Sequence, residues 1–294
     1  MREVAVVTTG FFDGVHLGHR HVLETVVSCA RERGQEAIVV TFWPHPRTVL
    51  QQDARDFRLL TSLEEKKALL LAAGVDRVEV LPFSRAFAAM TALEYLTMLR
   101  ERCGTTWVVM GYDNRIGSDR KTYSELKASF PAGDAIIVAG NSGLALPAGE
   151  SVISSTRIRK ALEAGDMTLA GDMLGYPYEL YGVVVAGNRL GRTIGFPTAN
   201  MQLYEPLKLV PANGVYAVEA EVLGRKYKGM TNIGVRPTVD GRARTIETHI
   251  LDFDEDIYGL PLRLRFLRRI RDERKFPSLE ELRAQLQRDC ALAY

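Results

Sequence analysis

Cysteine is scarce: Cys29, Cys103 and Cys290 are the only three among 294 residues. They are odd in number, far apart and without a Cys-x-x-Cys pair, which argues against a disulfide framework or a zinc site and favours a reducing cytoplasm. No apolar run approaches the roughly 18 residues of a membrane span. Met1-Arg2-Glu3 leads straight into Val4-Ala5-Val6-Val7 without the design of a signal peptide. A membrane partner is therefore not expected. Excess charge is missing too: 38 Lys and Arg stand against 36 Asp and Glu, a net of +2, so nothing general attracts a polyanion such as nucleic acid. Repeats and low-complexity stretches are absent, and a composition of 46% hydrophobic and 25% charged residues excludes disordered, collagen-like and coiled-coil chains. At about 100 to 200 residues per domain, the length implies two domains.

The character of the chain changes once. Up to about residue 180, short apolar runs at Val4–Val7, Ile38–Phe42, Val78–Leu81, Trp107–Met110 and Ile136–Ala139 alternate with amphipathic stretches. Such runs suit parallel strands buried on both faces. Between them, Ser62 with Glu65 and Thr91 with Glu94 match capping boxes, and Gly34, Gly74 and Gly104 stand at helix ends. This alternation predicts a doubly wound, Rossmann-like α/β domain. After it, Tyr181–Ala186, Val215–Val222, Lys226–Ile233, Thr245–Leu251 and Leu262–Leu267 read as consecutive strands, and Ser278 with Glu281 opens a final helix. An antiparallel β-barrel with a terminal helix is expected there. The turn at Gly175-Tyr176-Pro177 sets the expected division at 1–177 and 178–294.

The charges split unevenly. The first 180 residues carry 20 basic and 22 acidic groups, the remainder 18 and 14. Most of the positive excess lies between Arg263 and Lys275, as either a solvated edge or a phosphate-facing patch. Aromatic residues do not interleave regularly with that run, in which Phe266 stands alone, and this speaks against nucleic acid.

Directly after the first strand comes Thr9-Gly10-Phe11-Phe12-Asp13-Gly14-Val15-His16-Leu17-Gly18-His19, followed by a helix pattern. Gly10, Gly14 and Gly18 allow a backbone to approach a bulky ligand, and free N–H groups at a helix start attract an anion. His16 and His19, three apart, face one side of the first turn and can donate to phosphate oxygens. By itself His-x-x-His also fits a metal pair or two surface histidines. In the second half, Gly187-Asn188-Arg189-Leu190-Gly191-Arg192-Thr193-Ile194-Gly195-Phe196-Pro197-Thr198-Ala199-Asn200 can wrap nucleotide phosphates, and the oxygens of Thr198 and Asn200 suit Mg²⁺. A glycine-rich hairpin without a ligand has the same composition. On a strand, Glu247 and His249 project to one face.

These segments resemble the prokaryotic bifunctional riboflavin kinase/FMN adenylyltransferase (FAD synthetase) family. Phe12-Asp13-Gly14-Val15-His16-Leu17-Gly18-His19 is similar to its His-x-Gly-His signature, Thr41-Phe42-Trp43-Pro44-His45-Pro46 to its Thr-Phe-x-Pro-His-Pro segment, and Ser154-Ser155-Thr156-Arg157-Ile158-Arg159 to its Ser-Ser-Thr-x-Ile-Arg segment. Gly191-Arg192-Thr193-Ile194-Gly195-Phe196-Pro197-Thr198-Ala199-Asn200 resembles the signature of its kinase domain, and Arg271-Asp272-Glu273-Arg274-Lys275-Phe276 its flavin-side segment. One segment departs: in Gly111-Tyr112-Asp113-Asn114-Arg115-Ile116-Gly117, Asn114 and Ile116 stand where the family usually has two phenylalanines, while Asp113 matches.

The resemblance implies a transferase with two activities on small-molecule partners: riboflavin is phosphorylated to FMN with ATP and Mg²⁺, and FMN is adenylylated to FAD. It implies Glu247 as the kinase base, with His16 and His19 serving adenylyl transfer. Nucleotide contacts fall on Gly10, Phe11, Asp13, Gly18, Asp113, Ser155, Thr156 and Arg159, and on Gly191, Gly195, Thr198 and Asn200. Thr198 and Asn200 also hold the metal, and His45, Pro46, Arg271 and Glu273 contact flavin. The alternatives are a riboflavin kinase with a vestigial adenylyltransferase domain, and a non-catalytic flavin- or nucleotide-binding regulator.

Overall fold

A computed structural model describes residues 5–50, 56–105, 107–111, 114–127, 135–140, 153–187, 190–238 and 241–293. The chain folds into two compact units, Met1–Ser155 and Thr156–Tyr294. This division precedes the Gly175-Tyr176-Pro177 turn, because two helices upstream of that turn belong with the strands that follow it.

In the first unit, β1 (Ala5–Thr9), α1 (Leu17–Arg33), β2 (Glu36–Trp43), α2 (Pro46–Leu50), α3 (Leu63–Ala72), β3 (Arg77–Pro82), α4 (Arg85–Ala88), α5 (Ala92–Cys103), β4 (Trp107–Gly111), α6 (Tyr123–Lys127) and β5 (Ala135–Ala139) follow one another. The strands form one parallel sheet in the order β3-β2-β1-β4-β5. All five residues of β1 are buried, as expected of a central strand covered on both faces. The chain leaves β1 for β2 on one side and later returns to β4 on the other. The carboxyl end of β1 is therefore the switch point where open α/β sheets leave a ligand crevice. Both capping boxes form, Ser62 with Glu65 on α3 and Thr91 with Glu94 on α5.

The second unit contains most of α7 (Ser155–Ala164), then α8 (Met167–Leu174), β6 (Tyr178–Val185), α9 (Leu190–Thr193), β7 (Ala199–Leu203), β8 (Gly214–Val222), β9 (Arg225–Thr238), β10 (Gly241–Ile250), β11 (Pro261–Arg271) and α10 (Leu279–Ala293). Six strands close an antiparallel barrel in the order β10-β7-β6-β11-β8-β9. Strand β6 alternates strictly between buried and half-buried positions, which puts one face in the barrel core. Strand β7 was not evident from the sequence pattern, because its five residues offer too short an alternation to separate from the preceding loop. Its partners β6 and β10 supply the missing definition. Among the described residues no helix is long and apolar enough to cross a membrane, and the three cysteines are free thiols.

Candidate functional sites

The first site is built on the turn between β1 and α1. Phe12 and Val15 hold positive φ angles of 53° and 36°, which for a bulky and a β-branched residue is a strained backbone that its surroundings must enforce. Those surroundings are visible. Asp13 is 3% exposed, and its carboxylate accepts from the amides of Leu60 (3.0 Å) and Thr61 (3.1 Å). Thr61 Oγ1 in turn accepts from the Gly14 amide at 3.1 Å. Asp13 thus anchors the loop through the amides of the 60–61 segment.

His16 is the N-cap of α1, and its Nδ1 accepts from the His19 amide at 3.3 Å. An accepting Nδ1 leaves the proton of the neutral ring on Nε2. The two imidazoles stack with centroids 3.6 Å apart. Gly18 lies under the His16 ring, where an added Cβ would sit 3.3 Å from its atoms. Burial first, then the neighbouring His16 and Lys66, holds the His19 pKa well below the ordinary imidazole range. His19 Nδ1 is buried and has no hydrogen-bond partner among the described residues. Ser155, at the start of α7, donates to the Asp13 carbonyl at 2.9 Å. Thr156 and Arg159 follow it on α7 in the second unit, exposed and half-buried respectively.

Next to Gly10 opens a cavity of about 350 Å³ walled by Phe42, Phe83, Phe87 and Tyr95, with Thr9 among its lining. The Thr9 hydroxyl and the Tyr95 phenol form a hydrogen bond. Asn114, Arg115 and Ile116, the departing segment, line the same cavity. His45 and Pro46 do not: His45 packs on the rings of Phe11 and Phe57, and its Nδ1 accepts from the Arg47 amide. Asp113 lies outside the described residues. Sequence reasoning missed Phe83, Phe87 and Tyr95, whose only local signal was aromatic side chains at the starts of helices.

In the barrel, Glu247 on β10 is flanked in register by Asn200 on β7 and Asn232 on β9. A cavity of about 290 Å³ gathers Gly191, Thr198, Glu247, His249, Arg271 and Glu273, with Phe196, Phe276 and Leu282 supplying apolar surface. A second cavity, of about 270 Å³, lies against Arg192, Pro197, Thr198 and the 253–258 loop. Thr198 lines both. His249 holds the loop by a 2.8 Å hydrogen bond between Nδ1 and the Pro197 carbonyl. Arg271 also lines the first cavity, but its guanidinium is paired with Asp289 of α10 at 2.8 Å, a carboxylate with no exposed surface. Glu273 accepts from Asn213 Nδ2 at 3.2 Å and lies close over Gly234, where a Cβ would be 2.3 Å from Oε1. The side chain of Asn200 likewise lies against Gly187. Gly195 turns at φ 85° and is not among the cavity residues. Asn188 and Arg189 lie outside the described residues.

The model of the FAD synthetase family matches residues 1–157, and that of the riboflavin kinase family matches residues 174–294. A bifunctional riboflavin kinase/FMN adenylyltransferase of Escherichia coli (strain K12) is 40% identical over 292 residues, covering 98% of this chain and 91% of that protein. The chain belongs to this family. A Bacillus subtilis (strain 168) member is 37% identical over 288 residues, covering 97% of this chain and 90% of its own length. The fold agrees with a solved structure from Streptococcus pneumoniae described as a macrolide-efflux protein, 36% identical with a TM-score of 0.92, covering 100% of this chain and 94% of that one. Both enzyme domains of the bifunctional family are thus present in one chain.

Proposed function

We propose that residues 178–294 phosphorylate the primary hydroxyl of riboflavin with ATP, and that residues 1–177 adenylylate the resulting FMN with a second ATP, releasing pyrophosphate. The observation that carries the kinase half is Thr198. Phosphoryl transfer needs two substrates brought end to end, and Thr198 lies where one cavity meets the other. Glu247, in the first of these cavities, would accept the hydroxyl proton.

The donor set also suits a divalent cation. Among the described residues no group of three or more His, Cys, Asp or Glu is placed to hold a metal ion, whereas Thr198 and Asn200 offer the hard oxygens that Mg²⁺ accepts alongside water and phosphate. When bound there, Mg²⁺ would neutralise charge on the ATP phosphates.

For the adenylyl half, the FMN phosphate is already an anion and needs no strong base. His16 Nε2–H and His19, whose Nδ1 has no partner among the described residues, are suited to donate to phosphate oxygens as charge develops. Ser155, whose hydroxyl donates to the Asp13 carbonyl, would serve the leaving pyrophosphate. The aromatic cavity beside Gly10 would hold the flavin ring. The cytoplasm, which supplies ATP, is the setting.

Incubation with riboflavin, ATP and Mg²⁺, followed by chromatography of the flavins, tests the proposal. FMN followed by FAD is the expected result. FMN alone would make the first unit vestigial, consistent with the altered Asn114–Ile116 wall of its cavity, and unchanged riboflavin would refute both activities.

A further inference from the structure

Lys66 has no place in the roles assigned so far, yet it is among the largest fully buried side chains, 1% exposed. It projects from α3 on the face that also buries Leu70. An apolar residue would fill that position without the cost of removing an ammonium from water. The ammonium donates to the Phe11 carbonyl at 3.1 Å and the Phe42 carbonyl at 3.5 Å. It also sits 3.8 Å from the centre of the Phe11 ring. The Phe11 carbonyl lies in the Gly10–His19 loop that leaves β1, and the Phe42 carbonyl is at the carboxyl end of β2, before the Trp43–Pro46 segment. Thr41 Oγ1 donates to the same Phe11 carbonyl at 3.1 Å. Lys66 therefore ties the Gly10–His19 loop to the end of β2 one residue upstream of the strained Phe12, and its charge acts on His19.

We propose that Lys66 is a positioning residue for adenylyl transfer, its ammonium locking the backbone of the anion-binding loop and setting the electrostatic environment of His19. The inference rests on the proposed adenylyltransferase activity of the first unit. The titratable groups around it are Asp13, His16 and His19 from the β1–α1 segment, and His45, which packs on the same Phe11 ring. On its own helix, Glu65 is engaged in the capping box and Lys67 pairs outward with Glu64. Burial lowers the Lys66 pKa to about 8, against an opposing effect of Asp13. The lock should therefore open within an accessible pH range.

The test measures conversion of FMN to FAD by Lys66→Met, Lys66→Arg and the wild-type chain from pH 6.5 to 10, with riboflavin phosphorylation as a control in the same samples. Lys66→Met should lower kcat for FAD formation at pH 7 at least 10-fold while the KM for FMN changes less than 3-fold. Its thermal unfolding temperature should be no lower than that of wild type, because a buried charge is removed and the volume kept. Wild-type kcat should decline above about pH 8, whereas Lys66→Arg, which stays charged, should retain activity at neutral pH and lose that limb. An undiminished kcat in Lys66→Met would overturn the proposal, as would an alkaline limb shared by wild type and Lys66→Arg. If Lys66→Met fails to fold, the comparison with Lys66→Arg still decides. Absence of FAD formation in wild type would instead refute the underlying activity.

Discussion

Glu247 and His19 stand in different units, so their substitutions should separate the two reactions. Glu247→Gln keeps the side-chain shape beside Asn200 and Asn232 but removes the proposed base. FMN formation should fall about 10² to 10⁴-fold, the usual contribution of a general base, with FMN-to-FAD conversion unchanged. His19→Ala should do the reverse, lowering FAD formation about 10² to 10³-fold, the range for loss of one preorganised donor. Initial rates with riboflavin and with FMN as separate substrates distinguish the two; loss of both activities in either folded variant would rule out two sites. Both motifs were legible because a His-x-Gly-His turn and a strand Glu-x-His need only short stretches of chain. Asp13 was not legible in that way. Its bonds to the amides of Leu60 and Thr61, 47 and 48 residues away, have no local signature.

At the scale of elements, α10 closes the barrel cavity through Leu282 and Leu286. Its attachment depends on a buried ion pair, with Asp289 bonded by Arg271 Nε at 2.9 Å and by Gln285 Nε2 at 2.7 Å. Removing one partner of such a pair strands the other, at about 3 to 5 kcal/mol. Asp289→Ala should lose stability of that order in urea titration and raise the KM for riboflavin as the helix loosens. A much smaller loss would mean that water reaches Arg271 and that the pair is not a strut. Helix α3 has a different dependence. Since the Lys66 pKa lies at about 8 in the folded chain against an ordinary 10.5, the unfolded chain binds more protons between those values. Stability should then rise with pH across that window, by roughly 3 kcal/mol in total from 1.36 kcal/mol per pH unit. Equilibrium unfolding of wild type against Lys66→Met should show the rise in wild type alone. Helix ends were readable here because a capping box spans four residues, as at Ser62 and Glu65. Strand β7 was not, since its pairing with β6 and β10 is a non-local property.

For the molecule as a whole, the two folding units do not coincide with the division suggested by the Gly175-Tyr176-Pro177 turn. Helix α7 buries Ile158, Ala161 and Leu162, and α8 buries Met167, Ala170, Met173 and Leu174. Helix α8 packs on β6 and β11, the Leu162 carbonyl accepts from the Ala212 amide at 2.9 Å, and Gly165 abuts Arg269. A fragment of residues 156–294 should accordingly unfold cooperatively and phosphorylate riboflavin. A fragment of residues 178–294 exposes the faces those helices cover and should be markedly less stable. Denaturation curves and kinase assays on the two fragments check this; equal stability would show the helices to be dispensable. Gly175, at φ 77° in the left-handed region, is a genuine helix stop. It ends α8 without ending the unit.

The amino-acid sequence by itself determined the two-part plan, the parallel and antiparallel character of the two sheets, and the helix caps. All of these follow from residue periodicity and from contacts a few positions apart. Tertiary structure alone decided which residues meet. Register in a closed barrel carried Glu247 into line with Asn200 and Asn232, and the reversal of strand order put Gly10 at a crevice beside aromatic residues from three other segments. It also drew Lys66 beneath Phe11. Such meetings depend on sheet order and closure, properties of the whole chain that no local pattern encodes.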